Sequence, residues 1–457
     1  MQQRAILKKF QKKLYEWEEK SQSKEIVNII EDGYSVEGEI GRINIDTHKV
    51  TKGTRVIYDT RRDIFPKKSP RENYRTVCFD ELALYLPCEN SFRKSEKILN
   101  RVRWQEAEME LNHRTLANIV ESEGAEAIEY IEKKAVEILA QNSFYEDGNV
   151  SDEFLEKYKI PEMSYLPEHK VIDAVESYNE GKPKELQIEI SELHESYESP
   201  ETSVNISMDD VGAKKQKEST RNKYSGHKRK GTREYVKNTV IHVQNNNNSY
   251  IINAASIAQA LKWLIAFMLS NLLFNAGVIV FYVDGADDLR SGIKRLFHWL
   301  PYKIILDWYH LKKKCEQRLS MSIKGTINRN MVLDEVLTYL WVGRVDSAVT
   351  YLRGLEPKML KDFKEIEKLI AYFDRNWSYI PCYALRKSLG LRNSSNRGEK
   401  SNHLAVSERQ KHNGMSWSKD GSVCLATVTT LHLNNEQDNW IKNREIKFQF
   451  CRDKKCA

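Results

Sequence analysis

The chain has no paired-cysteine spacing. Its seven cysteines, Cys78, Cys88, Cys315, Cys382, Cys424, Cys451 and Cys456, are scattered without a CxxC motif. His310 with Cys315, or Cys451 with Cys456, has no matching second pair at finger-like spacing, so a zinc finger is not expected. No signal-peptide pattern opens the sequence, which starts polar and lysine-rich as MQQRAILKKFQKK, and a reducing, cytoplasmic setting is the expectation. There is no uninterrupted apolar run of membrane-spanning length: Ala254 to Phe274 comes nearest, and Gln259, Lys262, Ser270 and Asn271 break it. That stretch reads as a buried helix, and no membrane partner is expected. Nor is there a strong overall charge: 72 Lys and Arg against 65 Asp and Glu leave +7. The excess is local, because Lys214 to Arg233 alone holds nine basic residues and one acid, Glu218. Such a run suits either a polyanion or a solvated loop.

At 457 residues the chain is too long for one core, and two to four domains are expected. Residues 1–90 read as a mixed region, with a charged helical start (Ala5 to Ser21) and strand-like runs GRINID and RVIYD before FDELALYLP. Residues 91–144 read as helical. Gly124 is placed as a break between two helices, LANIVESE capped by Thr115 and AEAIEYIEKKAVEIL, giving a possible helix-turn-helix whose second helix would enter a groove. Residues 145–202, acidic and carrying Pro161, Pro167, Pro183 and Pro200, read as a linker.

The run 203–324 alternates strands and helices in the order β, β, β, α, β, α, β, α. It begins with VNISM into Asp209 and Asp210, passes through a hairpin around Asn245 to Asn248, reaches GVIVFYVD at Asp284, and then YKIILD at Asp307. A three-strand meander followed by alternating helices and strands is the ribonuclease-H-like arrangement, in which the first and fourth strands are central neighbours. Residues 325–385 read as a helical insertion, 386–432 as the last part of the same α/β domain, and 433–457 as a tail. The expected fold is thus α/β, with a ribonuclease-H-like mixed sheet, a helical insertion and a mostly helical amino-terminal region.

Three acids stand in separate contexts: Asp209 in VNISMDD, Asp284 in VIVFYVDGAD and Glu399 in NRGEKSNHLAVSERQ. Each alone has an ordinary explanation, since Asp commonly caps strand-to-loop turns and Glu on a polar helix usually faces water. Together on this topology they would form one divided site. Oxygen ligands of this kind suit hard divalent cations, and two such cations can serve the attacking and leaving oxygens of a phosphodiester. Gly285 and Ala286 are small enough to admit a nucleic-acid backbone beside Asp284.

VIVFYVDGADDLRSGIKRLFHWLPYKIILDWYHL, followed later by RGEKSNHLAVSERQKHNGMSWS, resembles the DDE transposases of bacterial insertion sequences, in the group akin to Mutator-like elements. The resemblance covers roughly Val204 to Thr430. It implies DNA transposition: metal-dependent hydrolysis at element ends, then strand transfer into target DNA. It also implies Mg²⁺ or Mn²⁺ as cofactor, Asp209, Asp284 and Glu399 as catalytic and metal-holding residues, homo-oligomers on DNA, and a nucleoid-associated location. Asp210 remains an alternative to Asp209, and Asp307 and His310, which match a motif closed by histidine, would support the site. Lys214, Lys215, Lys217, Arg221 and Lys223, with Arg397, Lys400 and Arg409 around Glu399, would grip phosphates. Trp417 would sit in the core or stack on a base. The other readings are an inert element-derived DNA-binding protein and a ribonuclease-H-like nuclease.

Overall fold

Alternating β-branched and polar residues, broken by asparagine, glycine or proline, set the strands of this chain, and longer runs with apolar residues every three or four positions set its helices. The computed structural model describes residues 28–38, 41–52, 55–59, 74–103, 110–145, 147–159, 161, 164–189, 196–216, 234–411 and 415–450. The helical start expected over Ala5 to Ser21 and most of the basic stretch lie outside them. The chain divides into two units, residues 1–125 with 436–445, and residues 126–435 with 446–457.

The first unit opens with a sheet in the order β3-β2-β1-β4, formed by β1 (Asn28–Gly38), β2 (Gly41–Lys52), β3 (Arg55–Asp59) and β4 (Tyr74–Arg75). The run FDELALYLP is helical: it lies in α1 (Val77–Glu89), whose first turn is capped by the Thr76 hydroxyl accepting from the Phe79 N–H at 3.1 Å. α2 (Phe92–Arg103) follows, and then α3 (His113–Gln141), which is one unbroken helix. The break expected at Gly124 is absent. Leu116, Ile119, Val120, Ala127, Ile131, Ala135 and Leu139 are buried at helical spacing on both sides of that glycine. A single glycine costs only about 1 kcal/mol in a helix, less than a continuous apolar stripe returns. Thr115 is not the cap; the Asn112 side chain accepts from the Arg114 N–H at 2.9 Å.

In the second unit, 145–202 is more than a linker. It carries α4 (Asp152–Lys157) and α5 (Glu168–Asn179), and Val171, Val175, Ile188 and Tyr197 are buried with Val342, Ala384, Leu385 and Leu391. Pro167 stands at the start of α5, and Pro183 at the start of a 3₁₀ turn over Lys184–Leu186. A five-stranded mixed sheet follows: β5 (Val204–Lys214), β6 (Tyr235–Asn245), β7 (Asn248–Ala254), β8 (Ile279–Val283) and β9 (Tyr302–Leu306), in the order β7-β6-β5-β8-β9. β5, β6 and β7 pair antiparallel, while β5–β8 and β8–β9 are parallel. The fold is therefore α/β. α6 (Ile257–Ser270) is the expected buried helix, and no described helix is long and apolar enough to cross a membrane.

α7 (Asp287–Phe297) and α8 (Trp308–Ser322) flank β9. The expected helical insertion is α9 (Thr326–Trp341), α10 (Val345–Arg353), α11 (Phe363–Asn376) and α12 (Tyr383–Ser388). The chain then returns through α13 (Asn396–Asn402), a π turn over 403–407, α14 (Glu408–Gln410) and α15 (Lys419–Leu433); α16 (Gln437–Asn443) belongs to the first unit.

The end of the insertion is fixed to the segment leading into β5 by a buried ion pair. Arg386 Nη2 donates to Glu198 Oε1 at 2.6 Å, both side chains being about 1% exposed. The same guanidinium donates to the Arg392 carbonyl through Nε at 3.1 Å and Nη2 at 3.0 Å. Burial works against charge on both groups, but each partner holds the other ionised: the Glu198 carboxyl lies below its ordinary pKa and Arg386 above its own. Removing one member of such a pair strands the other. Arg386→Met is expected to lower unfolding free energy by about 3 kcal/mol, with much of the loss recovered in Glu198→Met/Arg386→Met, as read by chemical denaturation.

Candidate functional site

β5 and β8 run parallel with Ser207 beside Tyr282 as the last pair, and Asp209 and Asp284 each lie two residues beyond it. The two acids are thereby brought side by side at the carboxyl edge of β8, although 75 positions separate them (284 minus 209). Asp307 follows β9 directly, its N–H donating to the Val283 carbonyl at 2.9 Å. Carboxyl edges of parallel strands are where α/β sheets present reactive groups.

Strand alternation decides between the two neighbouring acids. Asp209 shares a face with Ser207 and Val211, and Val211 packs with Ala405 and Val406 just after α13. Its Oδ2 accepts from Asn402 Nδ2 on α13 at 2.9 Å. Asp210 points the other way and accepts from the Thr239 hydroxyl at 2.7 Å. Burial, and then the negative charge of Asp284, push the Asp209 carboxyl up to about 6, with a smaller opposing pull from His310.

Asp284 has one oxygen engaged in a turn cap, Oδ1 accepting from the Ala286 N–H at 2.9 Å. Gly285 has a conformational and packing reason of its own. Its φ is +92°, and a Cβ there would stand 3.0 Å from the Tyr372 hydroxyl and 3.2 Å from Leu306 Cδ1, so the position is set by conformation and packing.

Glu399 reaches the same edge from α13, its Oε1 3.1 Å from His310 Nε2. Asp307 is buried and structural: Oδ1 accepts from the His310 N–H at 3.0 Å, capping α8, and Oδ2 accepts from the Ser395 N–H at the entrance to α13. One carboxylate thus holds both the helix that carries His310 and the turn that delivers Glu399. Gly398 lets α13 lie directly on β5, since a Cβ there would come within 2.4 Å of Ser207 Cβ.

No protein-family model matches the chain, and no curated protein matches it.

The basic residues divide. Lys214, Arg397 and Lys400 are exposed, and Lys215 is half-buried with its Nζ 2.8 Å from Glu234. Lys217, Arg221 and Lys223 lie outside the described residues. Arg409 is not a surface contact: it is 4% exposed, stacks 5.4 Å over the Trp417 ring, and lies 3.5 Å from Met415 Sδ. Its place on a polar-looking helix hid an apolar neighbour that follows it in sequence by eight residues (417 minus 409). Trp417 is a core residue, its indole donating to the Gln410 carbonyl at 3.1 Å, and its backbone bridges Lys215. Asn402 is the site residue the sequence did not flag. Its position three residues after Glu399, on the same helical face, was the available signal.

Among the described residues, no three His, Cys, Asp or Glu side chains stand at metal-ligating spacing. The donor chemistry of Asp209, Asp284 and Glu399 nonetheless fits a hard divalent cation such as Mg²⁺ or Mn²⁺. All three offer oxygen, and burial followed by the neighbouring Asp284 makes ionisation of Asp209 costly, a cost that a cation held there would offset.

Two outcomes follow. Because the folded-state pKa of Asp209 lies above the ordinary 3.8, the folded chain keeps a proton that the unfolded chain releases, so this acid's penalty is absent below about pH 4 and complete above about pH 6. In chelator, Asp209→Asn should therefore stabilise the protein at pH 8 by an amount on the order of 2–3 kcal/mol and give no gain at pH 4, as measured by thermal unfolding. Equal gains at both pH values would contradict the electrostatic cause. Gly398→Ala should destabilise the second unit by about 1–3 kcal/mol through overpacking, and Ser207→Gly in the same chain should restore most of it.

Proposed function

We propose that the protein is a metal-dependent DNA transposase, hydrolysing phosphodiesters at the ends of a mobile element and joining the freed 3′ hydroxyl to target DNA. The observation that carries this reading is the placement of Asp209 beside Asp284 at one sheet edge, with Glu399 brought to that edge by α13. The strand order β7-β6-β5-β8-β9, with only β6 antiparallel to its two neighbours, supports the ribonuclease-H-like assignment of the domain.

Asp209, Asp284 and Glu399 are the residues that would hold Mg²⁺ or Mn²⁺. A divalent cation held by these carboxylates would supply activation of the attacking oxygen and neutralisation of charge on the phosphate and leaving group. The protein's own part is orientation. Asn402 fixes one Asp209 oxygen, the Ala286 N–H fixes one Asp284 oxygen, and His310 holds Glu399, so each carboxylate is constrained before substrate arrives. Lys214, Arg397 and Lys400 offer exposed positive charge to phosphates, and a second copy of the chain would be needed to pair two element ends.

Asp284→Asn should keep its fold and its DNA binding but lose Mg²⁺-dependent cleavage of labelled element ends by at least 100-fold, on the scale of losing a positioned charged group in phosphoryl transfer. Asp210→Asn should cleave within a few-fold of the unmodified chain. Undiminished cleavage by Asp284→Asn would sink the assignment. Absence of cleavage by the unmodified chain on every substrate would favour an inert DNA-binding protein, and cleavage without strand transfer a nuclease.

A further inference from the structure

α2 has one face in the core of the first unit and the opposite face in water. Ser95 and Leu99 are buried, whereas Arg93, Lys94, Lys97 and Arg101 are exposed. Residues 93, 97 and 101 recur every four positions and 94 flanks them, so the four cations form one stripe about 12 Å long at ~1.5 Å per residue. The one acid in the helix, Glu96, is turned to α3. Its Oε2 accepts from the His113 N–H at 2.9 Å and lies 3.0 Å from His113 Nδ1.

Among the described residues none of these four cations has a carboxylate partner. Lys133, Lys215, Lys237 and Lys368 elsewhere on the surface each do. The stripe is also held rigidly. Ser91 caps α2 by accepting from the Lys94 N–H at 3.2 Å, and Asn100 clamps the Leu111 backbone, donating to its carbonyl at 2.9 Å and accepting from its N–H at 2.8 Å.

We infer that α2 is a docking face for double-stranded DNA. The inference rests on the reading of the protein as one that acts on DNA. A stripe of about 12 Å faces about seven phosphates of a duplex, whose charges recur every ~1.7 Å of axis, and four rigid, unpaired cations release counterions on contact. A lipid surface fits less well, because Val102 is the single exposed large apolar residue of the helix and offers no insertion face. α3, whose second half the sequence offered as the groove-entering element, is excluded by charge: it exposes Glu121, Glu129 and Glu137, and its exposed Lys133 is paired to Glu129 at 2.7 Å.

The test uses the full chain carrying Asp284→Asn, so that DNA stays intact, and reads fluorescence anisotropy of a labelled 30-base-pair duplex over a KCl series. Adding Lys94→Gln/Lys97→Gln/Arg101→Gln should weaken binding tenfold or more at 100 mM salt. It should also reduce the slope of log affinity against log salt by about 3, one for each phosphate contact removed. Lys94→Arg/Lys97→Arg should bind as the parent does, which separates charge from folding, and Lys133→Gln should change nothing. Parental affinity and slope in the triple Gln variant would overturn the inference, and equal or tighter binding to duplex RNA would overturn its commitment to DNA. The α2 result is independent of catalysis. Unaltered binding in that variant, with cleavage by the unmodified chain and none by Asp284→Asn, would leave the transposase reading standing and remove α2 alone.

Discussion

Asp307 is the constraint on which the rest of the candidate site depends. A carboxylate with both oxygens committed to backbone N–H groups, one at His310 and one at Ser395, joins segments separated by 88 positions. That join adds to the Asn402–Asp209 hydrogen bond and the close approach of Gly398 to Ser207, and it sets where the chain enters the helix bearing Glu399. Asp307 is almost fully buried, so its hydrogen bonds compete with little water and are the stronger for the low dielectric around them. Arg386 and Glu198 act from below on the same return path, holding the Arg392 carbonyl as the chain leaves α12.

Around that frame the electrostatics are deliberately unbalanced. Asp209 and Asp284 are adjacent carboxyls at a half-buried edge, and the His310 ring beside them faces Glu399, its Nε2 3.1 Å from Oε1. A domain built only for stability would place a hydrophobic pair or a lysine at such an edge. Strain of this sort, kept by surrounding packing, is characteristic of sites that await a ligand of opposite charge.

The strands of the second unit were legible because each is an apolar run ended by a turn signal, and their order followed from the alternation with helices. The positions of Asp284 at the end of a strand and of Glu399 on a helix were legible by context. The choice between Asp209 and Asp210 was not, because adjacent residues differ only in the face they point to, and strand register is a tertiary property. Gly124 misled because local propensity is weak against a long apolar stripe. Residues 145–202 misled because the short helices there gain their stability from Leu385 and Leu391, far along the chain, and hold little periodicity of their own. Arg409 misled for a similar reason: cation stacking on Trp417 buries a residue whose type predicts exposure.

The helical insertion enters after α8 and leaves at α12; the Asp307 carboxylate caps the start of α8, and the Tyr383 hydroxyl, 2.7 Å from the Leu306 carbonyl, ties α12 to β9. Its interior is no detachable cassette: Val332, Val336, Leu340, Ile366, Leu369 and Phe373 share one buried cluster with Val280, Tyr282, Ile305 and Leu306 of the sheet. A change of packing deep in the insertion is therefore felt at the two strands that lead into Asp284 and Asp307, with the shared core as the medium.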